Sequence, residues 1–299
     1  MKTATKVVLL DENGEKFFGE GPACLLRGVE KYGSLRAAAM DMNMAYTKAM
    51  RLIKNAESAL GFSLITRTTG GASGGGSKLT EEGILWLSRY ESYRNACMEA
   101  NRQLFRQFFP EVGCVIMASG VGKRFGSNKL MADFEGEPMI LQALRASEGL
   151  AAHRVVVTRH EEIAALCRER EIPVVLHDLP HRSDTVRLGL EALGDVDGCL
   201  FLPADQPLLR RETVDKLVLH WRENQNFILR PVCGDTAGSP VLFPVALFPE
   251  LLALPEGKGG IWVMKNHPDK VALFPVDDPY ELMDADTPEA LEQLRGCRG

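Results

Sequence analysis

The sequence predicts an α/β protein in two parts, a small helical part followed by a larger, mostly parallel β-sheet with helices on both faces. Two observations carry this prediction. After residue 111, short apolar runs alternate with helical patterns, which is typical of parallel strands joined by crossover helices. Before residue 110, consecutive helical patterns lead into a glycine-rich segment between two strand-like runs. We therefore place the domains at residues 1–110 and 111–299.

The composition is typical of a soluble globular protein, with 45% hydrophobic and 25% charged residues in a chain of 299. No apolar run approaches the roughly 20 residues needed to span a bilayer. The N-terminus shows no signal-peptide pattern, so we expect a cytoplasmic protein without a membrane partner. The seven cysteines form no C-x-x-C pair, which favours reduced thiols.

The net charge of −5 is distributed unevenly along the chain. Residues 1–110 hold 15 Lys and Arg against 11 Asp and Glu, whereas the remainder holds 20 against 29. A basic first part ahead of an acidic second part favours nucleic acid as the partner of the first. On its own this excess of positive charge is a weak indication.

Two helical patterns with a short turn between them occupy residues 34–60. Ser34 is a good N-cap for Leu35–Met40, and residues 41–43 form the turn. The second helix is predicted from Met44 to Leu60, with alanines on its apolar face. Two helices joined in this way are typical of a helix-turn-helix.

The polar face of the second helix provides candidate DNA contacts, because its N-terminal end is suited to enter a major groove. These candidates are Tyr46, Thr47, Lys48, Arg51 and Lys54. Residues 64–80 predict a β-wing with a glycine-rich tip, and Arg67 and Lys78 at its base suit phosphate contacts. The helices alone leave open a plain helical hairpin with a solvated basic face.

Thr80 and the two glutamates after it predict the start of a long helix that reaches about Phe109. Its apolar positions predict a seam for a homodimer. These positions are Ile84, Leu87, Tyr90, Ala96, Leu104 and Phe108. The first domain therefore either binds a specific operator or serves only to dimerise.

Residues 5–100 resemble the DNA-binding domain of molybdate-responsive ModE-type regulators, which belong with the LysR-type winged helices. The resemblance lies in the segments Gly33–Ala39, Leu60–Phe62, Arg67–Gly71, Gly74–Gly76 and Leu79–Gly83. It implies a winged helix-turn-helix that binds DNA and dimerises through its long helix. The molybdate-binding domains of those regulators are absent, so molybdate sensing is not implied.

An apolar strand, Val112–Ile116, leads into the glycine-rich run Met117–Lys129. The run contains three glycines and three cations, at Gly120, Gly122, Gly126, Lys123, Arg124 and Lys129. Glycines let the backbone turn tightly and approach a ligand, and the N–H groups of such a loop form an anion cradle. The loop therefore predicts phosphate binding, although its spacing fits neither a Walker P-loop nor G-x-G-x-x-G.

A second apolar strand, Cys199–Leu202, delivers Asp205 to its carboxyl end. A buried carboxylate opposite a phosphate loop needs a partner, and Mg²⁺ carried by a nucleotide supplies one. The alternative interpretation is that Asp205 is the N-cap of the helix that follows. Neither a Ser-His-Asp nor a Cys-His arrangement is evident, and His153, His160, His177 and His181 have no metal-ligand spacing.

The glycine-rich run resembles the signature L-A-A-G-x-x-x-R-[MF]-G-x-x-K of nucleotidyltransferases that activate sugars and cofactors. The matching positions are Gly120, Arg124, Phe125, Gly126 and Lys129, with Met117-Ala118-Ser119 in place of Leu-Ala-Ala. Asp205-Gln206-Pro207 matches the family's D-x-P, whose aspartate is the metal ligand. Residues 257–260 and 283–291 resemble the G-x-[KR]-G-[AG] and D-x-D-T-P-E-D-L segments of molybdenum cofactor nucleotidyltransferases, except that Ala290 replaces an aspartate.

This second resemblance covers residues 112–295 and implies a Rossmann-like nucleotidyltransferase domain of the MobA/MocA type. The implied reaction joins CMP from CTP to a molybdopterin-type cofactor and releases pyrophosphate. Lys129, Arg124 and Asp205 are the implied catalytic residues, and Asp205 with Asp286, or less favourably Asp284, the implied Mg²⁺ ligands. Nucleotide contacts are implied for Ala118, Ser119, Gly120, Gly122, Arg124, Gly126, Lys129 and Ser183, with Arg182 beside the last.

Two alternatives stay open for the second domain. Guanylyltransferases of this group usually carry L-A-G-G at the loop, and Ala118-Ser119-Gly120 is closer to the cytidylyl branch, so CTP is expected and GTP remains possible. A transcription regulator whose second domain only senses nucleotide or cofactor is the alternative from another class.

Overall fold

The structure is a computed structural model that describes residues 3–68, 76–120, 125 and 128–297. The chain divides into two compact units, Met1–Gln107 and Phe108–Gly299. Each unit has its own hydrophobic core. In the described part of the chain, no helix is both long enough and apolar enough to cross a membrane.

The first unit is a helix-turn-helix followed by two strands and a long helix. Its elements are β1 (Leu9–Leu10), β2 (Lys16–Phe18), α1 (Glu20–Tyr32), α2 (Leu35–Asp41), α3 (Tyr46–Leu60), β3 (Ile65–Thr68), β4 (Gly76–Leu79) and α4 (Glu81–Phe108). The hydroxyl of Ser34 accepts a hydrogen bond from the N–H of Ala37 and so caps α2 as predicted. Strands β3 and β4 pair antiparallel, and residues 69–75 of the predicted wing tip lie outside the described residues.

Small residues let α1 and α2 cross closely. A Cβ added to Gly28 would lie 2.5 Å from the Cβ of Ala38, so no larger side chain fits at that position without a shift. The core under this crossing is formed by buried apolar side chains from all four helices, among them Leu26, Ala39, Ile53 and Leu87. The predicted alanines on the apolar face of the second helix are confirmed at Ala49 and Ala56, which are buried in this core.

The predicted dimer seam on α4 is wrong at two positions. Leu87 and Tyr90 are buried in the core of the first unit, and the Tyr90 hydroxyl donates a hydrogen bond to the carbonyl of Val7 at 3.0 Å. The large apolar side chains that α4 exposes are Ile84, Leu85, Tyr93, Met98, Leu104 and Phe108. The prediction failed at these two positions because the apolar stripe of a helix packs first against the core of its own domain.

The second unit is built on an eight-stranded sheet in the order β12-β11-β13-β10-β5-β8-β9, with β14 paired to β11. The strands of this unit are β5 (Val112–Ala118), β6 (Asp133–Phe134), β7 (Glu137–Pro138), β8 (Arg154–Thr158), β9 (Val174–Leu176), β10 (Gly198–Pro203), β11 (Ile228–Cys233), β12 (Thr236–Ala237), β13 (Val241–Pro244) and β14 (Val271–Pro275), of which β6 and β7 form a separate two-stranded sheet. Its helices are α5 (Ile140–Ala146), α6 (Glu161–Glu169), α7 (Arg182–Leu193), α8 (Arg211–Glu223), α9 (Phe248–Leu252), α10 (Gly260–Asn266) and α11 (Pro288–Arg295).

The side chains of β5 alternate between the two faces of this sheet, because successive side chains of a strand point to opposite sides. Cys114, Ile116 and Ala118 face a core built with α5, α6, α8 and α11, whereas Val115 faces a core built with α7, α9 and α10. On that second face a Cβ at Gly189 would lie 2.4 Å from Val115, so α7 packs against β5 through a glycine. The predicted α/β architecture with helices on both faces is confirmed.

Strands β5, β8, β9 and β10 are mutually parallel, as predicted. The sequence analysis did not predict β13, which runs antiparallel between β10 and β11, or β14 at the far side of β11. Both lie beyond the regular alternation of strand and helix. Their placement depends on pairing between distant segments rather than on a local pattern.

Candidate functional site

A cleft of about 450 Å³ lies where the parallel strands β5, β8 and β10 end. Ligands of open α/β sheets bind at this edge, because the loops that follow parallel strands meet there. The cleft is lined by Met117, Ser119, Gly120, Arg159, Pro180, His181, Arg182, Thr185, Pro203, Asp205, Ser239, Asp284 and Asp286. Acidic and basic side chains therefore face each other across one opening.

Lys129 joins two carboxylates at the cleft. Its Nζ donates hydrogen bonds to Asp205 Oδ2 at 2.5 Å and to Asp286 Oδ1 at 2.9 Å. The lysine begins a 3₁₀ turn, Lys129–Met131, which the side chain of Asn128 caps, and only 9% of the lysine side chain is exposed. Three positions that are widely separated in sequence are thus brought to one point, and Asp205 is not the N-cap of α8, whose N-cap is Arg210.

The neighbouring carboxylates keep the ammonium group of Lys129 protonated. Burial acts to lower its pKa, but the negative charge of Asp205 and the hydrogen bonds to Asp205 and Asp286 outweigh burial and raise the pKa. The lysine therefore carries a full positive charge at neutral pH. Its single positive charge offsets part of the negative charge of the two carboxylates that it contacts.

The segment that carries Asp286 is fastened to the end of β10. The N–H of Ala285 donates to the carbonyl of Asp205 at 2.8 Å, and Gln206 Nε2 donates to the carbonyl of Leu282 and to Asp284 Oδ1. Burial and the charge of Asp205 raise the pKa of Asp284. The backbone and Gln206 hold this acidic turn in place.

A salt bridge anchors the same segment from its other end. Glu281 is buried, and its carboxylate accepts hydrogen bonds from the N–H and the guanidinium of Arg210. Thr287 then caps α11, accepting from the N–H of Ala290 as the sequence predicted. The turn between these anchors is the part that reaches the cleft.

The donor set at the cleft suits a divalent cation that arrives with a nucleotide. No group of three or more His, Cys, Asp and Glu side chains is arranged to hold a metal ion within the described ranges. Mg²⁺ is commonly bound by one or two carboxylates together with substrate phosphates, rather than by an all-protein cage. Asp205 and Asp286 meet that requirement, since both lie within hydrogen-bond distance of one ammonium group.

The start of the glycine-rich loop is held by polar contacts from the neighbouring strand ends. Ser119 Oγ lies 2.9 Å from His177 Nε2, and His160 Nε2 lies 3.0 Å from the carbonyl of Gly120. Ala118 is buried at the end of β5. The predicted loop positions Gly122, Lys123, Arg124 and Gly126 lie outside the described residues.

The N-terminal end of α7 reaches the cleft as predicted, but through other side chains than Ser183. Ser183 is buried, and its neighbours Arg182 and Thr185 line the cleft. The helix starts at Arg182, with His181 as its N-cap and Asp184 accepting from the N–H of His181. Helix N-termini favour anions, so this end adds positive potential to the cleft.

A second pocket of about 360 Å³ adjoins the cleft and shares Met117, Arg182, Pro203 and Ser239 with it. Its remaining lining combines aromatic rings with cations. These residues include Phe201, Phe243, Trp262, Arg230, Lys258 and Lys265. We call this site the aromatic–cationic pocket.

Arg230 is the most firmly placed cation of the aromatic–cationic pocket. It lies on β11, and its guanidinium donates to the carbonyls of Ala237 and Gly238 at 2.8 to 3.2 Å. Burial lowers its pKa, although an arginine stays charged at any physiological pH. The predicted segment 257–260 forms the opposite wall, where a Cβ on Gly260 would lie 2.7 Å from the ring of Phe243.

Sequence reasoning missed several residues of this region. His160 and His177 were interpreted as ordinary histidines, yet both contact the glycine-rich loop. Arg159, Thr185 and Arg230 were not singled out. One available signal was position, because Arg159 directly follows β8 and His177 directly follows β9, and the carboxyl ends of parallel strands share an edge.

The predicted DNA-contact residues of the first unit are all exposed. Those on α3 are Tyr46, Thr47, Lys48, Arg51 and Lys54, and those on the wing strands are Arg67 and Lys78. Arg67 Nη2 lies 2.9 Å from Met50 Sδ, which brings the base of the wing against α3. The helix face and the wing base thus form one basic surface.

Comparisons with known proteins agree with this architecture. Residues 114–271, more than half of the chain, match the family model described as "MobA-like NTP transferase domain". Residues 25–84 match the family model described as "Bacterial regulatory helix-turn-helix protein, lysR family". A nucleotidyltransferase domain and a LysR-type helix-turn-helix therefore occur together in this chain.

Individual relatives match shorter stretches. A 3-deoxy-manno-octulosonate cytidylyltransferase of Chlorobium phaeovibrioides is 37% identical over 91 residues, which are 29% of this chain and 36% of that protein. The chain thus spans about a third of the length of such curated relatives. Their full activities do not carry over from a match of this extent.

Solved structures show the same fold for the second unit. A nucleotidyl transferase from Methanothermobacter thermautotroptrophicus has a TM-score of 0.54 at 21% identity, covering 62% of this chain and 97% of that one. Molybdopterin-guanine dinucleotide biosynthesis protein A from Archaeoglobus fulgidus has a TM-score of 0.50 at 18% identity, again covering 62% and 97%. At these identities the likeness shows the fold alone.

Proposed function

Because the chain belongs to the family of MobA-like NTP transferase domains, we propose that it transfers CMP from CTP to a molybdopterin-type molybdenum cofactor and releases pyrophosphate. The observation that carries the proposal is the contact of Lys129 with Asp205 and Asp286. Each of these residues stands in a different motif of molybdenum cofactor nucleotidyltransferases. Their convergence beside the glycine-rich loop supports a working site.

The proposed reaction is an in-line displacement without a covalent enzyme intermediate. A terminal phosphate oxygen of the acceptor attacks the α-phosphorus of the nucleotide, and the bond to the bridging oxygen of the β-phosphate breaks, so that pyrophosphate leaves. Catalysis then consists of positioning and charge neutralisation. Mg²⁺ held by Asp205 and Asp286 supplies part of that neutralisation when bound.

The residues of the chain have separate tasks in this scheme. Asp205 and Asp286 would hold the cation, and the ammonium group of Lys129 beside them would neutralise charge on the phosphates. Arg124, which lies outside the described residues, is assigned to the triphosphate on its motif position alone. Ala118, Ser119, Gly120, Gly122 and Gly126 are assigned to the loop that cradles the nucleotide.

The aromatic–cationic pocket is the proposed acceptor site. Its rings offer flat apolar surface to a heterocycle, and its cations offer partners to a phosphate. It opens onto the cleft through Met117, Pro203 and Ser239, so an acceptor phosphate is able to reach the nucleotide. A pterin with a terminal phosphate has this combination of groups.

CTP is proposed over GTP on two grounds. The loop carries Ala118-Ser119-Gly120 rather than L-A-G-G, and the Chlorobium relative is named a cytidylyltransferase. That relative also indicates a second acceptor class, the sugar acid 3-deoxy-manno-octulosonate, which belongs among the substrates to be tested. Trp262 and Phe243 in the pocket favour the pterin.

For the first unit we propose DNA binding by a homodimer in the cytoplasm. The basic surface of α3 and the wing base supplies the contacts, and the exposed apolar side chains of α4 supply the dimer face. A gel-shift titration on the upstream region of the protein's own gene, repeated at several salt concentrations, tests this. Binding no tighter than to unrelated DNA would leave only the dimerisation role.

The decisive experiment measures pyrophosphate release from the full chain with Mg²⁺, a candidate acceptor and either CTP or GTP. The acceptors are molybdenum cofactor and 3-deoxy-manno-octulosonate. We expect turnover with CTP and the molybdenum cofactor. Turnover only with GTP would replace CTP as the proposed nucleotide. Turnover only with the sugar acid would replace the molybdenum cofactor as the proposed acceptor. Tight nucleotide binding without any turnover would instead favour a regulator that senses nucleotide.

A further inference from the structure

The exit of β5 into the glycine-rich loop is held by an arrangement of polar groups around Thr158, which is fully buried. Thr158 Oγ1 donates to the carbonyl of Ala118 at 3.0 Å and accepts from the N–H of His160 at 3.1 Å. The carbonyl of Thr158 accepts from the N–H of His177 at 3.0 Å. The ends of β5, β8 and β9 are thereby linked through one side chain and its backbone.

Ser119, the next residue of the loop, is held by its hydroxyl on two sides. Its Oγ donates to the carbonyl of Val157 at 3.1 Å and lies 2.9 Å from His177 Nε2. A hydroxyl has one proton, and a carbonyl only accepts, so that proton is committed to Val157. The tautomer of His177 that complements this arrangement carries its proton on Nε2 and donates it to Ser119.

This assignment leaves His177 Nδ1 without a proton in the neutral ring. Nδ1 is buried and has no hydrogen-bond partner among the described residues. Protonation of that atom would place an unsatisfied charge in a dry environment. The neutral ring with its proton on Nε2 is the form that the surroundings accept.

His177 itself does not belong to the cleft lining described above, whereas Ser119 and Gly120 do.

We propose that His177 is a positioning residue for nucleotide binding, which acts through Ser119 to fix the start of the glycine-rich loop at Ser119 and Gly120. The proposal rests on the proposed nucleotidyltransferase function and deepens it. A loop held in its binding conformation loses less conformational freedom when the nucleotide arrives, so the affinity is higher. The contribution comes from preorganisation, because His177 does not need to touch the ligand.

The test measures binding of CTP and of GTP to the full chain by calorimetry in the presence of Mg²⁺. The variants are His177→Ala, His177→Gln, Ser119→Ala and the double variant of Ser119→Ala with His177→Ala. A glutamine amide nitrogen is able to replace Nε2 as donor. His220→Ala, on the exposed side of α8, is the matched control, and thermal unfolding checks that each variant folds.

We expect His177→Ala and Ser119→Ala each to weaken nucleotide binding roughly five-fold, the effect of one hydrogen bond. The double variant should be no weaker than either single one, because both remove the same link. Glutamine at 177 should restore binding to within about two-fold, which a loss of ring packing would not allow.

Three results would overturn the proposal: unchanged binding by His177→Ala, additive losses in the double variant, or no rescue by glutamine. Each requires that the unaltered chain binds a nucleotide. If the unaltered chain binds neither CTP nor GTP, the proposed function itself fails, and the positioning role fails with it. The two failures are therefore distinguishable by the unaltered chain alone.

Discussion

The carboxylate cleft and the aromatic–cationic pocket lie side by side but are built from different chemistry. The cleft places Asp205, Asp284 and Asp286 around one buried ammonium group, and its geometry is held by backbone and salt-bridge anchors. The pocket has three aromatic rings and several cations. The difference suggests that one region performs the transfer and the other selects what receives the nucleotide.

Replacing Lys129 is the strongest test of this division of roles between the cleft and the pocket. Lys129→Met should lower the rate of pyrophosphate release by about 10³-fold, because a positioned cation is lost where charge develops on the phosphates. The KM for the acceptor should change little. Steady-state kinetics measure both, with Lys216→Met on the exposed side of α8 as the control.

Removing Lys129 also leaves Asp205 and Asp286 without their ammonium partner, so the variant has a second expected property. In the absence of nucleotide it should bind Mn²⁺ more tightly than the unaltered chain, since the lysine no longer competes for the carboxylates. Retention of near-normal turnover together with unchanged Mn²⁺ binding would contradict the assigned role.

Loosening the acidic turn should have the next largest effect. Gln206→Ala removes the hydrogen bonds to the carbonyl of Leu282 and to Asp284, which hold the segment that carries Asp286. We expect kcat to fall roughly tenfold to a hundredfold, because a small displacement of a catalytic group is costly. Gln225→Ala, at a half-buried glutamine that follows α8, is the matched control. Equal rates in the two variants would show that the turn keeps its place without Gln206.

A substitution of Arg230 tests the role of the aromatic–cationic pocket. Arg230→Met keeps the length of the side chain but removes its charge, so the KM for the acceptor should rise roughly tenfold while kcat is largely kept. Nucleotide affinity should not change. Arg222→Met on the exposed side of α8 controls for the loss of an arginine, and a fall in kcat alone would assign Arg230 to the transfer step instead.

The smallest expected effect is a pH dependence of nucleotide binding through His177. Burial, then the charge of Arg159, lowers the pKa of His177 below its ordinary value of 6.5, whereas Asp184 and Asp178 oppose the shift. The neutral ring therefore predominates above about pH 6.5. As the pH falls through the lowered pKa, a positive charge forms on a ring whose Nδ1 is buried and which lies near Arg159, and this disfavours the position of the ring beside Ser119. Affinity should decline several-fold below that pH, and His177→Gln should reduce this decline. An identical pH profile in that variant would remove His177 from the explanation.

Local sequence pattern predicted the parts of the fold that local physics decides. Strand β5 begins at Val112, as the apolar run Val112–Ile116 predicted, because a run of this kind specifies a buried strand locally. Ser34 and Thr287 cap their helices as their side chains suggested. The antiparallel insertion of β13 was missed, because strand order depends on pairing between segments far apart in sequence.

The residues of the candidate site also fall into those that the sequence predicted and those that it did not. Lys129, Asp205 and Asp286 were identifiable because each stands in a recognisable motif, and the fold brings them together. His177 and Arg230 belong to no motif, and their surroundings come from Ser119 and from the carbonyls of residues 237 and 238. A side chain whose role depends on distant backbone atoms leaves no motif in the sequence, and its position directly after a strand was the signal that His177 offered.

The hydrogen bond from Ala285 to the carbonyl of Asp205 also has a consequence for how the protein is made. Residues 129 and 205 leave the ribosome well before residue 286, so a nascent chain exposes the lysine and one aspartate before the second aspartate exists. The first unit is by then completely synthesised and free to fold, because domains generally fold as units during translation. A newly emerging chain should thus acquire its helix-turn-helix before it acquires any capacity to hold a nucleotide.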